Sequence, residues 1–123
     1  MSAQQKKFLL RRLLDHMQMI RGGEMAICAI PKAVEEEIGV TEDDMDNISS
    51  FPRTVAGVKM AATLRQTAEG DTKMSVRAVP GYDATRITVV FGGGGHKGAA
   101  GASFQLPLDE AAKEVEKVML ELK

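Results

Sequence analysis

The sequence predicts one domain of the α/β class, in which helices cover a mixed β-sheet of four to five strands. Three observations predict this class. The 123 residues are enough for one domain, and their hydrophobic content of 44% can fill a core. Polar and apolar residues alternate in the second half of 57–79, as in strands, whereas apolar residues near both ends recur at three- and four-residue spacing, as in helices.

Composition and charge exclude several classes of protein. No apolar run approaches the roughly 20 residues of a membrane span, and the first residues lack the apolar core of a secretory signal. The single cysteine, Cys28, excludes an internal disulfide framework and fits a reducing compartment. We therefore expect a cytoplasmic protein without a membrane partner, in which Cys28 is a small core residue of a strand.

The pattern predicts nine elements, in the order helix, strand, helix, helix, strand, strand, helix, strand, helix. Their approximate bounds are 4–20, 24–30, 31–38, 41–55, 57–66, 72–79, 83–91, 101–106 and 108–122.

The first helix is very apolar on one face, and Gly22 and Gly23 end it. It could pack on the domain, on a second copy of the chain or on a segment that is not present. The next strand is an apolar run between glycines and Pro31, which suits the first turn of the following helix. Thr41 is a typical N-cap for the fourth element.

The fifth and sixth elements predict an antiparallel hairpin around Gly70. In the second of its strands Met74 and Val76 alternate with polar residues, so Arg77 is expected on the opposite face of the sheet. The seventh element suits a helix or a strand by propensity, and helix is favoured because it leads into a glycine loop.

Charge is unevenly distributed along the chain. Residues 33–46 carry seven acids and no base, which predicts a solvated helical face or one that contacts another domain. Residues 53–97 carry seven bases against three acids. That stretch would suit an anionic ligand if its bases converge on one surface, although the net charge of −1 by itself implies no nucleic-acid partner.

The most informative segment is FGGGGHKGAAG, at 91–101. Four glycines in a row lose much backbone entropy on folding, so a domain keeps them where the chain turns sharply or approaches a ligand. Their amides can cradle an anion, and His96 could donate to a phosphate oxygen or a reacting group. The spacing matches neither a P-loop nor the G-x-G-x-x-G fingerprint. A ligand-binding loop and a flexible surface turn both stay open.

This segment is similar to the GGGH-x-x-A-A-G signature of the DHHA1 domain, the C-terminal domain of the DHH/DHHA1 phosphoesterases. The run KMSVRA at 73–78 resembles the K-V-S-L-R-S strand of that family. IPKAVEEEIG at 30–39 and SFPRTVAGVKMAATLR at 50–65 also follow the family pattern. The likeness covers about residues 23–122.

The resemblance implies that residues 1–22 are a connector helix from an N-terminal DHH catalytic domain, and that 23–123 are the substrate-binding domain. Two divalent metal ions, usually manganese, are expected in the DHH domain and none in this chain. We therefore expect a fragment that does not hydrolyse efficiently by itself. Its expected partners are a short oligonucleotide or a nucleotide phosphate, its own DHH domain and, as a further candidate, a second copy.

The resemblance also implies the site residues. It assigns substrate and phosphate binding to Arg77, Gly93, Gly94, Gly95 and His96, with an assisting role in catalysis open for His96. Four further residues are weaker candidates: Gly92, Lys97, Arg53 and Arg65.

Arg77 suits this role because its planar guanidinium matches a phosphate better than a lysine does. Its alternative is an exposed strand residue that pairs with Glu69 or Asp71. Ala78 stands where the family often has a serine, so one polar contact is expected to be lost.

The function predicted first is substrate binding for a metal-dependent phosphoesterase acting on short oligonucleotides or phosphorylated nucleotides. Cyclic dinucleotides and polyphosphate stay open as substrates. One rival is a non-catalytic nucleic-acid or tRNA-binding appendage, because alanyl-tRNA synthetases carry a similar domain. The other is a dimerisation module that uses the first helix.

Overall fold

The computed structural model describes all 123 residues as one mixed sheet with helices on both faces. The strands are β1 (Met17–Ile20), β2 (Met25–Ile30), β3 (Met60–Gln66), β4 (Thr72–Ala78), β5 (Gly94–His96) and β6 (Ala99–Phe104). The helices are α1 (Ala3–Asp15), α2 (Lys32–Ile38), α3 (Glu42–Asn47), α4 (Thr85–Thr88) and α5 (Leu108–Glu121). The predicted α/β class with a mixed sheet is confirmed. None of the helices is both long and apolar enough to cross a membrane.

The strand order is β1-β2-β3-β4-β6-β5, so β1 and β5 are the two edges. Only β2 and β3 run parallel. A parallel pair needs a crossover connection, and α2 and α3 lie within it. The predicted antiparallel hairpin is confirmed as β3 and β4, with Met60 opposite Ala78.

The larger core lies on the face of the sheet that α4 and α5 cover. Alternate residues of β4 are buried there, as the sequence pattern predicts. They pack with Ile87 of α4 and with Val115 and Met119 of α5. This core joins the four central strands to the C-terminal helix, and the residues of β4 that point to the other face are half-buried.

The smaller core lies on the opposite face, over β2. Leu9 and Leu13 of α1 pack there against Cys28 and Ile30 of β2 and against residues of α2 and α3. The first helix could pack on its own domain, on a second copy or on a segment that is not present, and the structure shows that it packs on its own domain. Cys28 is a buried strand residue as predicted, and burial raises the pKa of its thiol to about 12.

The sheet has six strands, and the expectation of four to five was too low. The predicted helix over 4–20 ends at Asp15, and Met17–Ile20 form the edge strand β1, antiparallel to β2. Arg21, Gly22 and Gly23 all have positive φ between these strands. The apolar residues of β1 fit the spacing of a helix as well as that of a strand. Only the pairing with β2 shows that this segment is a strand.

The second additional strand comes from the predicted glycine loop, because Gly94–His96 pair with β6. The region before it contains α4 and a 3₁₀ turn at Val89–Phe91, which confirms a helical segment within 83–91. In 41–55 the structure has two pieces, α3 with the predicted N-cap Thr41 and a 3₁₀ turn at Pro52–Thr54.

The acidic run at 33–46 was predicted to be a solvated helical face or one that contacts another domain. The first of these predictions needs correction, because part of the run contacts its own domain. Glu35 is only 2% exposed, and neither of its carboxylate oxygens has a hydrogen-bond partner. Burial raises the pKa of this carboxyl. Glu42 and Asp46 of α3 instead form ion pairs with Arg65 of β3.

Candidate functional site

One surface of the sheet is left open by the helices. It is the side of β4, β6 and β5 that faces away from α4 and α5, and we call it the open face. Ser103, Ala99 and His96 are exposed on it, while Ser75 and Arg77 are half-buried. The smaller core packs on β2 and does not include these three strands. The open face is therefore available to a ligand.

The strand register arranges this side of the sheet in three rows, because directly opposed residues of paired strands point to the same face. The first row is Ala61, Arg77, Ala99 and His96. The second row is Thr63, Ser75, Gly101 and Gly94. The third row is Arg65, Lys73 and Ser103.

Arg77 and His96 thus share the first row, although 18 residues separate them in the chain. One strand lies between them, which places their Cα atoms about 10 Å apart. Ala99 between them is small, so both side chains can reach a ligand above it. The structure thus places in one row the two residues with the strongest functional arguments from the sequence.

Neither of these side chains forms an ion pair. Arg77 donates from Nη1 to the carbonyl oxygen of Val76 at 3.3 Å, and no carboxylate lies within ion-pair distance of it. The alternative in which it pairs with Glu69 or Asp71 is wrong. A guanidinium without an acidic partner on an open surface can bind a phosphate with two parallel hydrogen bonds.

The glycines of 92–95 have separate structural reasons. A Cβ on Gly93 would lie 2.1 Å from the carbonyl oxygen of Gly101, and one on Gly95 would lie 2.6 Å from Cα of Ala100. At these two positions close approach to β6 requires glycine. A Cβ on Gly94 would meet no atom within 4 Å. Gly94 lies in the second row beside the first-row His96, and packing gives no reason for a glycine there.

The main chain of β5 adds hydrogen-bond donors to this corner. It is an edge strand, so the backbone groups on its free side are not used by the sheet. The segment for which an anion cradle was predicted is therefore a strand at the sheet edge rather than an irregular loop. Gly92, which precedes this strand, is exposed at the end of the 3₁₀ turn.

The weaker candidates occupy three different places. Lys97 is exposed in the turn that joins β5 to β6, next to the first row. Arg53 lies in the 3₁₀ turn that precedes Val55, which packs against the small cluster of Ala26, Val58 and Ala61. Arg65 is 5% exposed in the third row and pairs with Glu42 and Asp46. Lys97 thus lies beside the site, Arg53 lies in a separate turn, and Arg65 lies two rows away.

Sequence reasoning missed the hydroxyl groups of the second row. Ser75 lies two residues before Arg77 on the same side of β4. Thr63 stands opposite Ser75 on β3, and its buried Oγ1 has no hydrogen-bond partner. The alternation of β4 could have identified Ser75. Thr63 needed the register between two strands, which the sequence does not contain.

No large cavity and no metal-ligand cluster lies on this surface. A groove of about 570 Å³ lies between α1 and the end of α2 and is lined by residues such as Phe8 and Arg12. No three His, Cys, Asp or Glu side chains are grouped so that they could hold a metal ion. The open face is therefore a shallow surface that carries the guanidinium of Arg77.

Comparison with known proteins places the chain in a family. The sequence model of the DHHA1 domain matches residues 22–121, which is most of the chain. The chain therefore belongs to the DHHA1 domain family, as its glycine segment predicts.

A curated relative extends this result. The chain is 34% identical over 108 residues to a protein of Thermus thermophilus named bifunctional oligoribonuclease and PAP phosphatase NrnA. The match covers 87% of this chain and 32% of that protein. This chain thus spans about a third of the length of the relative.

Solved structures share the fold. An exopolyphosphatase-related protein from Bacteroides fragilis superposes with a TM-score of 0.85 over 97% of this chain and 35% of its own, at 23% identity. A pGpG-specific phosphodiesterase, PggH, from Vibrio cholerae superposes with a TM-score of 0.61 over 95% of this chain and 38% of its own, at 9% identity. At these identities the likeness concerns the fold.

Proposed function

We propose that this chain is the substrate-binding domain of a DHH-family phosphoesterase, and that it holds the phosphate of a short oligonucleotide or a phosphorylated nucleotide on its open face. The observation that carries the proposal is the first row, in which Arg77 and His96 lie on either side of Ala99 without an acidic partner. The relative named as an oligoribonuclease and PAP phosphatase supports this substrate class.

Each group of the site has a binding role in this proposal. The guanidinium of Arg77 donates to two phosphate oxygens and neutralises their charge. His96 donates from a ring nitrogen to a further oxygen, and the free backbone groups of β5 contribute additional N–H donors. Gly94 leaves space for the ligand between them. Together these groups fix the position of the phosphorus atom, which lowers the entropic part of the barrier to attack by water.

Hydrolysis itself belongs to a DHH domain in this proposal. Two divalent metal ions, expected to be manganese, would activate water there. This chain contributes binding and orientation, and its shallow open face is suited to close over a substrate held by that second domain. Residues 1–22, including α1, would then connect the two domains.

The proposal is tested by calorimetric titration of a 5′-phosphorylated diadenylate into the chain. We expect Arg77→Ala to weaken binding about tenfold or more, because a charged hydrogen bond contributes about 1.5–3 kcal/mol. Arg11→Ala is the matched control, since Arg11 is an exposed arginine of α1 without a hydrogen bond or ion pair. Equal affinities for the two variants would contradict the proposal.

Histidine offers a second matched pair. His96→Ala is expected to weaken the same titration, whereas His16→Ala, which removes the only other histidine from the end of α1, is expected to leave it unchanged. Loss of binding in both variants would indicate a general effect on the fold and would count against a specific role for His96.

A further inference from the structure

The third row of the sheet carries as many basic residues as the first, but its charge is cancelled. Arg65 and Lys73 are opposed across β3 and β4. The carboxylate of Asp46 lies 3.3 Å from Nη2 of Arg65 and 3.6 Å from Nζ of Lys73. Glu42 lies 3.3 Å from Nη1 of Arg65. Two acids of α3 thus oppose the two bases of this row.

The other two rows complete the charge pattern. The second row contains only hydroxyl-bearing residues and glycines, so it has no charge. The first row has its arginine and histidine without acidic partners. Along the sheet, an uncompensated cationic row is therefore followed by a neutral row and then by a compensated one. The third row begins four residues along the strand from Arg77, which is about 13 Å.

We propose that Asp46 is a specificity-determining residue that restricts the site to short substrates by neutralising Lys73 and Arg65. This inference rests on the proposed function. A nucleotide chain that leaves the first row across the second meets no free positive charge at the third. Since phosphate contacts supply most of the affinity for nucleic acid, each added nucleotide then gains little. The site therefore favours short ligands because its third row has no uncompensated positive charge for the phosphates of a longer one.

The test compares a 5′-phosphorylated dinucleotide with a 5′-phosphorylated dodecanucleotide by calorimetric titration over a range of salt concentrations. For the natural chain we expect the two ligands to give the same slope of log K against log salt. In Asp46→Asn, Lys73 becomes available. Affinity for the long ligand is then expected to rise up to about fivefold, the size of one exposed ion pair. Its salt slope should steepen by about 0.7, the value for one more phosphate contact on a single strand.

Two controls separate this effect from bulk charge and from loss of structure. Asp43→Asn removes the same charge from α3 at an exposed residue outside the ion-pair network. We expect it to change neither the affinity nor the salt slope for either ligand. Lys73→Gln removes a half-buried lysine and is expected to leave long-ligand binding unchanged in the natural chain but to abolish the gain in the Asp46→Asn background.

Three results would overturn the inference. These are an equal gain in Asp43→Asn, a loss of long-ligand binding in Lys73→Gln alone, or no gain in a folded Asp46→Asn chain. The proposed function is tested separately, because it fails if Arg77→Ala leaves dinucleotide binding intact. A length effect of Asp46 could still be measured in that case.

Discussion

The glycines of 92–95 are adjacent in the sequence, but their surroundings in the structure differ. Gly93 and Gly95 pack against β6, where a Cβ would overlap backbone atoms. Gly94 faces the open surface, where a Cβ meets nothing. Packing in the free protein therefore explains Gly93 and Gly95 but not Gly94, which our proposal assigns to ligand binding.

This difference makes a direct prediction. Gly94→Ala is expected to keep or slightly raise the free energy of unfolding, because alanine reduces the entropy of the unfolded chain, and to weaken binding of a phosphorylated dinucleotide. Gly95→Ala is expected to lower the free energy of unfolding by about 1–3 kcal/mol, because its methyl group overpacks the contact with Ala100. Urea unfolding and calorimetric titration measure the two quantities. Normal ligand affinity in Gly94→Ala would show that no ligand approaches this position.

Glu35 gives a prediction for the dependence of stability on pH. Burial raises the pKa of its carboxyl in the folded state. The native chain therefore keeps this proton to a higher pH than the unfolded chain, and the free energy of unfolding falls as pH rises from the ordinary glutamate range through the raised pKa. Glu35→Gln removes that fall.

We expect the Glu35→Gln variant to be more stable than the natural chain at neutral pH, and the difference to disappear below about pH 4, where the carboxyl is protonated in both states. Urea unfolding at both pH values measures this. Glu36→Gln, at the exposed neighbour, is the control and is expected to show a smaller effect. A stability difference that grows toward low pH would show that the charged form is favoured in the native state.

At the residue scale the sequence predicted Arg77 and His96 because their chemistry is visible in local motifs. Ser75 and Thr63 were missed because their neighbourhood depends on strand register. The ion pairs of Arg65 were missed for a related reason. They join β3 to α3, and no local pattern indicates which helix lies over a given strand.

Whole elements were predicted where one face is strongly apolar. The C-terminal helix and the β3–β4 hairpin are confirmed. The two strands that were missed are both at edges of the sheet. Residues 17–20 satisfy helical spacing, and glycine is depleted in strands, so β5 contradicts propensity. Both become strands through pairing with a neighbour, which is a tertiary contact.

The position of α1 makes a prediction at this scale. Leu13 is buried in the smaller core, whereas its neighbour Leu14 is 49% exposed. Leu13→Ala is expected to lower the free energy of unfolding by about 2–5 kcal/mol, and Leu14→Ala by much less. Thermal and urea unfolding of both variants provide the measurement. Equal, small effects would show that α1 is not an integral part of the domain.

On the scale of the whole molecule, the two faces of the sheet differ in how far helices cover them. One face is closed by α4 and α5 around the larger core. The other is covered by α1, α2 and α3 over β2, α3 also reaches the third row through Asp46, and the first two rows are left open on β4, β6 and β5. The smaller core therefore anchors α1, and the uncovered strands present the cationic row. A ligand enclosed between this surface and a second domain would be held without any deep pocket in this one.

The central claim is that the first row of the open face binds phosphate. The most direct measurement is a titration of a 5′-phosphorylated dinucleotide, followed by backbone amide chemical shifts in the natural chain, in Arg77→Ala and in His96→Ala. We predict shifts confined to Arg77, to residues 92–101 and to their row neighbours, and weaker in both variants. Shifts centred on the groove beside α1, shifts unaffected by either variant, or no shifts at millimolar ligand would contradict the claim.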